Sequence, residues 1–132
     1  MPLSRHLVRV RDLIDRAYAS PLDVPALARS AHVSPAHFSR SFRAAFGETP
    51  HQYLLRRRLE RAKALLRRPE LSVTDVCVAV GFSSLGSFST QFRRFVGVSP
   101  TTYRERSEHD ALSRVPGCLV KRFTRPLAPG PR

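Results

Sequence analysis

The 132-residue chain lacks tryptophan altogether and has only two cysteines, Cys77 and Cys118. Two cysteines are too few for a disulfide framework and fit a reducing compartment. Without tryptophan, and with only three tyrosines, few rings are available to stack on single-stranded bases. No run approaches the ~18 apolar residues of a membrane span, and the N-terminus shows no apolar stretch of signal-peptide length. We therefore expect a soluble protein of the cytoplasm, without a membrane partner.

Acidic side chains and lysines are also scarce. The chain has 10 Asp and Glu against 23 Lys and Arg, a formal net charge of +13, and its only lysines are Lys63 and Lys121. Arginine carries a planar fork of donors that suits phosphate and guanine edges better than lysine does. GC-rich codon usage also favours arginine, but that bias alone does not explain so high a charge. The charge indicates a partner that is a polyanion such as a nucleic acid.

A segment that occurs twice, offset by 49 to 50 residues, is the most informative feature of the sequence. Eight residue pairs are shared by the two copies: Ser34/Ser83, Phe38/Phe88, Ser39/Ser89, Phe42/Phe92, Arg43/Arg93, Gly47/Gly97, Pro50/Pro100 and Tyr53/Tyr103. The offset is 49 at the pair Ser34/Ser83 and 50 from the pair Phe38/Phe88 on, which predicts one extra residue in the turn of the second copy. Two like structural units on a basic chain suggest two like binding elements.

The spacing of apolar residues is helical throughout, and no strand-period run appears. Pairs such as Ser34-Pro35 and Thr49-Pro50 place a capping residue before a proline, as helix starts prefer. The sequence predicts an all-α fold of about seven helices, in two homeodomain-like helix-turn-helix subdomains joined by a long linker helix. Five phenylalanines at helical spacing are predicted to be core residues: Phe38, Phe42, Phe88, Phe92 and Phe95.

Four segments make up the predicted organisation. They are a first helix-turn-helix lobe (5–49), a linker helix (50–68), a second lobe (69–107) and a Pro-rich tail (108–132) that we expect to be irregular or disordered. A linker of ~19 residues spans roughly 28 Å. Successive major grooves on one face of B-DNA lie about 34 Å apart. This spacing suits one monomer that contacts two adjacent grooves.

At these motifs the chain resembles the AraC/XylS family of bacterial transcription regulators. The most specific part is VTDVCVAVGFSS at residues 73–84, followed by FSTQFRRFVGVSPTTYR at residues 88–104. The segment LARSAHVSPAHFSRSF at residues 27–42 and the linker YLLRRRLERA at residues 53–62 also match. The resemblance covers about residues 6–106 and implies a sequence-specific regulator that binds double-stranded DNA, with RNA polymerase as a further partner and activation as its usual effect.

The resemblance also implies which residues contact DNA. In the first recognition helix they are Ala36, His37, Ser39, Arg40 and Arg43; in the second they are Leu85, Gly86, Ser89, Thr90 and Arg93. Ser34 and Ser84, at the helix starts where free N–H groups attract phosphate, complete the set. Arg40 is the best candidate for a base contact, because arginine bonded to guanine is the commonest specific pairing.

Two residues of the second recognition helix depart from the family pattern. Thr90 stands where the family commonly has arginine, and Gly86 where a longer polar side chain is usual. The second helix is therefore expected to anchor the protein on phosphates more than it specifies bases. Because Met1 lies only a few residues before the first helix, we also expect no effector-binding domain and a monomer that is associated with the bacterial nucleoid. We expect no cofactor, metal or catalytic residue.

Two other functions stay open at this stage. The arginine excess and the weakened second helix also fit a non-specific nucleoid-type DNA-binding protein. Some relatives of the family transfer alkyl groups to cysteine, so a repair fragment that uses Cys77 or Cys118 is a further alternative, although the spacing of Cys77 is that of a buried residue. In the run Arg56-Arg57-Arg58, one or two side chains are expected to bind phosphate or acidic groups while the rest are solvated.

Overall fold

Seven α-helices and no strand form the part of the chain that the computed structural model describes, residues 2–113. The helices are α1 (Leu3–Arg16), α2 (Val24–Ser30), α3 (Pro35–Phe46), α4 (Pro50–Leu66), α5 (Val73–Ala79), α6 (Leu85–Val96) and α7 (Pro100–Ser113). The all-α prediction is confirmed. None of these helices combines the length and the apolar character that a membrane crossing requires.

Local capping chemistry explains where the helices begin. Asp23 accepts a hydrogen bond from the backbone N–H of Ala26 at the start of α2. At α4, the Thr49 hydroxyl accepts from the N–H of Gln52 (3.2 Å) and the Gln52 side chain accepts from the N–H of Thr49 (2.9 Å). This reciprocal pair satisfies two donors that the first turn leaves free. A proline at the first position of α4 needs no such partner, since it has no N–H.

The first lobe contains its own hydrophobic core, formed by α1, α2, α3 and the beginning of α4. Its buried residues are Leu7, Val10, Ile14, Val24, Ala28, Phe38, Phe42 and Leu54. Phe38 and Phe42 are both fully buried. The sequence forms this core because the apolar residues of each helix recur every three or four positions and so line one face.

The second lobe has a core of the same kind, formed by the end of α4 with α5, α6 and α7. Its buried residues are Leu59, Ala62, Leu65, Leu66, Val76, Cys77, Val80, Phe88 and Phe92. Helix α4 therefore belongs to both lobes, and its 17 residues span about 25 Å. The half-buried Tyr18 packs against both cores.

The prediction that Phe95 is a core residue was wrong, because its side chain is 42% exposed. Val96, one position later, is partly buried and packs against the second core. Phe88, Phe92 and Val96 recur at intervals of four, so Phe95 lies beside this row on the solvent side.

The prediction that helical structure ends at residue 107 was also wrong, since α7 continues to Ser113. The three side chains that follow residue 107 on α7, Glu108, His109 and Asp110, are all exposed. Three exposed polar residues in succession leave no apolar period in the sequence, so the pattern gave no sign that the helix continues. Residues 114–132, the rest of the expected tail, lie outside the described residues.

Candidate nucleic-acid interface

Two helix-turn-helix units with matching turns lie in the two lobes, α2–α3 in the first and α5–α6 in the second. In each turn one residue has a positive φ, 60° at His32 and 98° at Gly81. The next residue donates its N–H back to the preceding helix, Val33 to the Ala28 carbonyl and Phe82 to the Cys77 carbonyl, at 3.1 Å in both cases. The turns are thus built in the same way, with an offset of 49 residues.

The second turn contains the predicted extra residue. Four residues separate α2 from α3 (31–34) and five separate α5 from α6 (80–84). The expected pairing of Ser34 with Ser83 was wrong, however. Ser34 accepts a hydrogen bond from the N–H of His37, and its counterpart Ser84 accepts one from the N–H of Ser87, both at 3.1 Å. Ser83 is therefore the inserted residue, and the offset is 50 from the caps onward.

Helices α3 and α6 expose the same positions to solvent. Residue by residue, every position of α3 has the same degree of burial as the position 50 residues later in α6. Of the twelve predicted DNA-binding residues, ten are exposed: Ser34, Ala36, His37, Arg40, Arg43, Ser84, Leu85, Gly86, Thr90 and Arg93. The other two, Ser39 and Ser89, are half-buried.

The exposed residues of each recognition helix form a continuous strip. Positions 36, 40 and 43 of α3 follow at spacings of four and three, which places them on one helix face. Positions 86, 90 and 93 repeat the arrangement on α6. The side chains of Arg40, Arg43 and Arg93 have no hydrogen-bond or ion-pair partner within residues 2–113. Their guanidinium groups are consequently available for an external anion.

Arginines of the linker helix, in contrast, are bonded within the protein. Arg56 pairs with Glu48 (2.9 Å) and Glu60 (3.0 Å). Arg57 pairs with Asp15 (3.0 Å) and Glu60 (3.2 Å). The expectation of acidic partners therefore holds for these two arginines, and the spacing of Glu60 three and four residues after them was a signal in the sequence.

The expectation that the remaining arginine is solvated was wrong. Arg58 is half-buried, and its Nε and Nη2 donate to the carbonyl oxygens of Tyr18 (2.6 Å) and Ser20 (2.9 Å). Because these carbonyls lie 40 and 38 residues away along the chain, no local pattern indicated the contact.

A tyrosine joins each recognition helix to the helix that follows it. The ring of Tyr53 meets Phe42 edge-on at 5.9 Å, and the ring of Tyr103 meets Phe92 at 5.6 Å. The Tyr53 hydroxyl donates to Asp15 at 2.7 Å. Burial, and then the hydrogen bond and the charge of Asp15, raise the pKa of Tyr53. These contacts pack α3 against the beginning of α4 and α6 against the beginning of α7.

Cys77 lies beneath the turn of the second unit and has the features of a structural residue. It is 2% exposed, and burial raises the pKa of its thiol. A thiolate is the reactive form of cysteine, so such a group is a poor nucleophile. The described residues contain no cluster of three or more His, Cys, Asp or Glu side chains that could hold a metal. Cys118 lies outside residues 2–113.

Comparison with known proteins gives consistent results. A family model described as a helix-turn-helix domain matches residues 27–106. The chain is 36% identical over 99 residues to the probable transcriptional regulator LumQ of Photobacterium leiognathi, a match that covers 75% of this chain and 40% of LumQ. The fold is similar to that of the DNA-binding domain of AdpA, a global transcriptional factor crystallised with a target DNA, with a TM-score of 0.72 and 33% identity. That match covers 79% of this chain and 94% of the AdpA domain.

A further relative bears on the alternative of a repair protein. The chain is 29% identical over 108 residues to AdaA of Bacillus subtilis, a bifunctional transcriptional activator and DNA repair enzyme, and the match covers 82% of this chain and 51% of AdaA. The chain thus spans about half or less of the length of these curated relatives. Within residues 2–113, the buried Cys77 does not offer the accessible thiolate that alkyl transfer needs.

Proposed function

The chain belongs to the AraC/XylS family of DNA-binding transcriptional regulators, and we propose that it binds two successive major-groove segments of a promoter as a monomer. Helices α3 and α6 enter the two grooves with their N-terminal halves, where a recognition helix contacts base edges. Arg40 bonds a guanine in the first groove, while the second helix contributes mainly phosphate contacts through Ser84 and Arg93.

The matching exposure of α3 and α6 is the observation that carries this proposal. Two helices with the same solvent-facing positions, each held on its own core, are suited to the same task. The helix that links them, α4, is about 25 Å long, of the same order as the groove repeat of about 34 Å. The recognition helices also carry arginines without partners inside the described chain, which suits them to phosphates and base edges.

Selection from a random DNA library, followed by sequencing, tests the proposal. We expect a motif of two parts whose centres lie about one helical turn apart, with stronger base preference in the part bound by α3. Affinity for the selected site should exceed that for unrelated DNA by about 10³-fold or more at a fixed salt concentration. Sedimentation of the complex should give one protein per duplex.

The proposed regulatory outcome is activation of transcription through contact with RNA polymerase. The protein would act in the cytoplasm, bound to the DNA of the bacterial nucleoid. Transcription of a template carrying the selected site, with purified polymerase, measures it directly. Addition of the protein should raise the yield of transcript from that template and leave a template without the site unchanged. A lowered yield would make the protein a repressor while leaving its mode of DNA binding intact.

A non-specific nucleoid protein is the second candidate, favoured by the net charge of +13 and by Gly86 and Thr90 in the second recognition helix. Its affinity would come almost entirely from phosphate contacts and would fall steeply with salt. It predicts that selection returns no motif and that cognate and random duplexes compete equally well.

A further inference from the structure

Three segments of the chain meet at a junction between the two lobes. From the first lobe comes the loop that follows α1, at Tyr18, Ala19 and Ser20. From the second lobe comes the turn of its helix-turn-helix unit, at Gly81 and Phe82. The linker helix contributes Arg58, whose side chain contacts both of the others.

Arg58 holds the first-lobe loop with two hydrogen bonds and touches the second lobe with its guanidinium face. The Nε and Nη2 groups donate to the carbonyls of Tyr18 (2.6 Å) and Ser20 (2.9 Å). The guanidinium carbon lies 5.9 Å from the centre of the Phe82 ring, within the range of a cation–π contact. The planar fork of arginine suits both kinds of contact at once better than the point charge of a lysine ammonium does.

Gly81 brings the backbones of the two lobes into direct contact. A Cβ added there would lie 2.8 Å from the Ala19 carbonyl oxygen and 3.0 Å from its Cα. The φ of Gly81 is +98°, like the +100° of Gly97, but a Cβ at Gly97 would meet nothing within 4 Å. The equivalent turn residue in the first unit, His32, carries a side chain at a positive φ. A turn of this kind thus accommodates a side chain, and the close approach of Ala19 is the feature that requires glycine at position 81.

Tyr18 extends the same junction into the interior, because its half-buried ring packs against both hydrophobic cores. The two lobes are consequently joined by hydrogen bonds, a backbone contact and a shared aromatic ring, in addition to the covalent linker helix. Within residues 2–113, α4 is the covalent link between the lobes, and without the junction bending of this one helix would change the angle between the recognition helices.

We propose that Arg58, with Tyr18 and Gly81, forms a clamp that fixes the angle between the two helix-turn-helix units and thereby sets the half-site spacing the protein accepts. Arg58 is a positioning residue in this proposal and does not contact DNA. The proposal rests on the proposed two-groove function. A rigid connection raises the effective concentration of the second lobe at its groove only when that groove lies at the matching distance and rotation. A loosened clamp lowers this concentration and widens the range of spacings that are bound.

A series of duplexes tests the clamp. They carry the selected motif with zero, one or two base pairs inserted or removed between its two parts. For the wild-type protein, one inserted base pair should weaken binding by about 10-fold or more, a penalty typical of a mismatched site. For Arg58→Ala we expect affinity at the native spacing to fall about 3- to 10-fold, because a less organised protein binds less tightly. Its penalty for the inserted base pair should shrink below about 3-fold.

Arg56→Ala is the matched control for charge and helix position. Arg56 lies two residues before Arg58 on α4, but its partners Glu48 and Glu60 belong to the first lobe and the linker helix. This variant loses the same charge as Arg58→Ala, so both should weaken phosphate attraction equally. It should keep the spacing penalty of the wild type.

A second pair of variants tests the backbone contact. Gly81→Ala and Gly97→Ala both place a side chain at a positive φ, with similar local strain. Only the alanine at position 81 would push against Ala19. We expect Gly81→Ala to relax the spacing preference as Arg58→Ala does, and Gly97→Ala to keep it.

Residual dipolar couplings of the DNA-free protein give a readout that does not depend on DNA binding. A rigid wild-type protein should fit one alignment tensor for both lobes, whereas Arg58→Ala and Gly81→Ala should need two. A single tensor and an unchanged spacing penalty in folded Arg58→Ala and Gly81→Ala would overturn the clamp. Wild-type affinity that ignores half-site spacing would instead overturn the proposed two-groove function, while the couplings would still decide whether the clamp exists.

Discussion

Replacing Arg40 with alanine should reduce both affinity and specificity, because we propose that this side chain bonds a base. Arg40 is exposed on α3 and has no partner within residues 2–113. Its removal breaks no internal contact, and alanine has the higher helix propensity. We therefore expect the free energy of unfolding to change by less than about 0.5 kcal/mol. The whole effect should fall on DNA binding.

The expected loss follows from the chemistry of one bidentate contact. An arginine bonded to guanine contributes about 1–3 kcal/mol of discrimination. At 1.4 kcal/mol per tenfold change, this corresponds to an increase in Kd of about 5- to 140-fold on the selected site. Thr90 occupies the equivalent exposed position on α6 and offers only a hydroxyl group. Thr90→Ala should cost about 1 kcal/mol or less, roughly a fivefold change.

Fluorescence anisotropy at one fixed salt concentration measures both variants on the selected site, on single-base-pair variants of it and on random DNA. For Arg40→Ala, the preference should be lost at one position in the half-site bound by α3 and kept elsewhere. Equal losses on selected and random DNA would refute a base contact by Arg40. A larger loss for Thr90→Ala than for Arg40→Ala would refute the asymmetry between the two helices.

Three further outcomes are expected. Arg93→Ala should weaken binding equally on all sequences and reduce the slope of log K against log salt by about one unit, whereas a loss confined to one sequence would make Arg93 a base-reading residue. Hydrogen bonds to the backbone and side chain of Ser72 lower the pKa of Asp75, so its cap should stabilise α5 near neutral pH and lose this effect as the pH falls through the lowered pKa. Asp75→Asn should then flatten the pH dependence of Tm below about pH 4. A variant whose Tm falls with acid as steeply as that of the wild type would contradict the role of the ionised Asp75 side chain in the cap. Phe92→Ala should lower the free energy of unfolding by about 3–5 kcal/mol in urea titrations, since the ring is fully buried; a loss near zero would contradict its place in the core.

Local features of the fold were predictable because their causes are close in sequence. The Ser34 and Thr49 caps act over three residues, and the phenylalanine rows recur within single helices. The doubled motif implied two equivalent units, and the structure bears this out in their fold. The failures at Phe95 and at the end of α7 have different causes. Helical spacing identifies an apolar row but not which residue at its edge is exposed, and the polar residues after position 107 form no such row at all.

The exposure of the candidate DNA-binding residues was predictable in part. Exposure of Arg40 and Arg43 follows from the burial of Phe38 and Phe42 on the opposite face of α3. The half-buried state of Ser39 did not follow, since it depends on neighbouring helices. The inserted residue in the second turn was predicted, but its position at Ser83 emerged only from the hydrogen bond at Ser84.

The sequence by itself determined the helices, their caps, the two repeated units and the family to which the chain belongs, because each rests on patterns of a few residues. Only the tertiary structure decided what Arg58 does. Arg58 bonds carbonyls 38 and 40 residues away, and Gly81 rests against Ala19, so neither contact has a local signature. Both contacts join segments that are distant in sequence and lie together only in the folded protein.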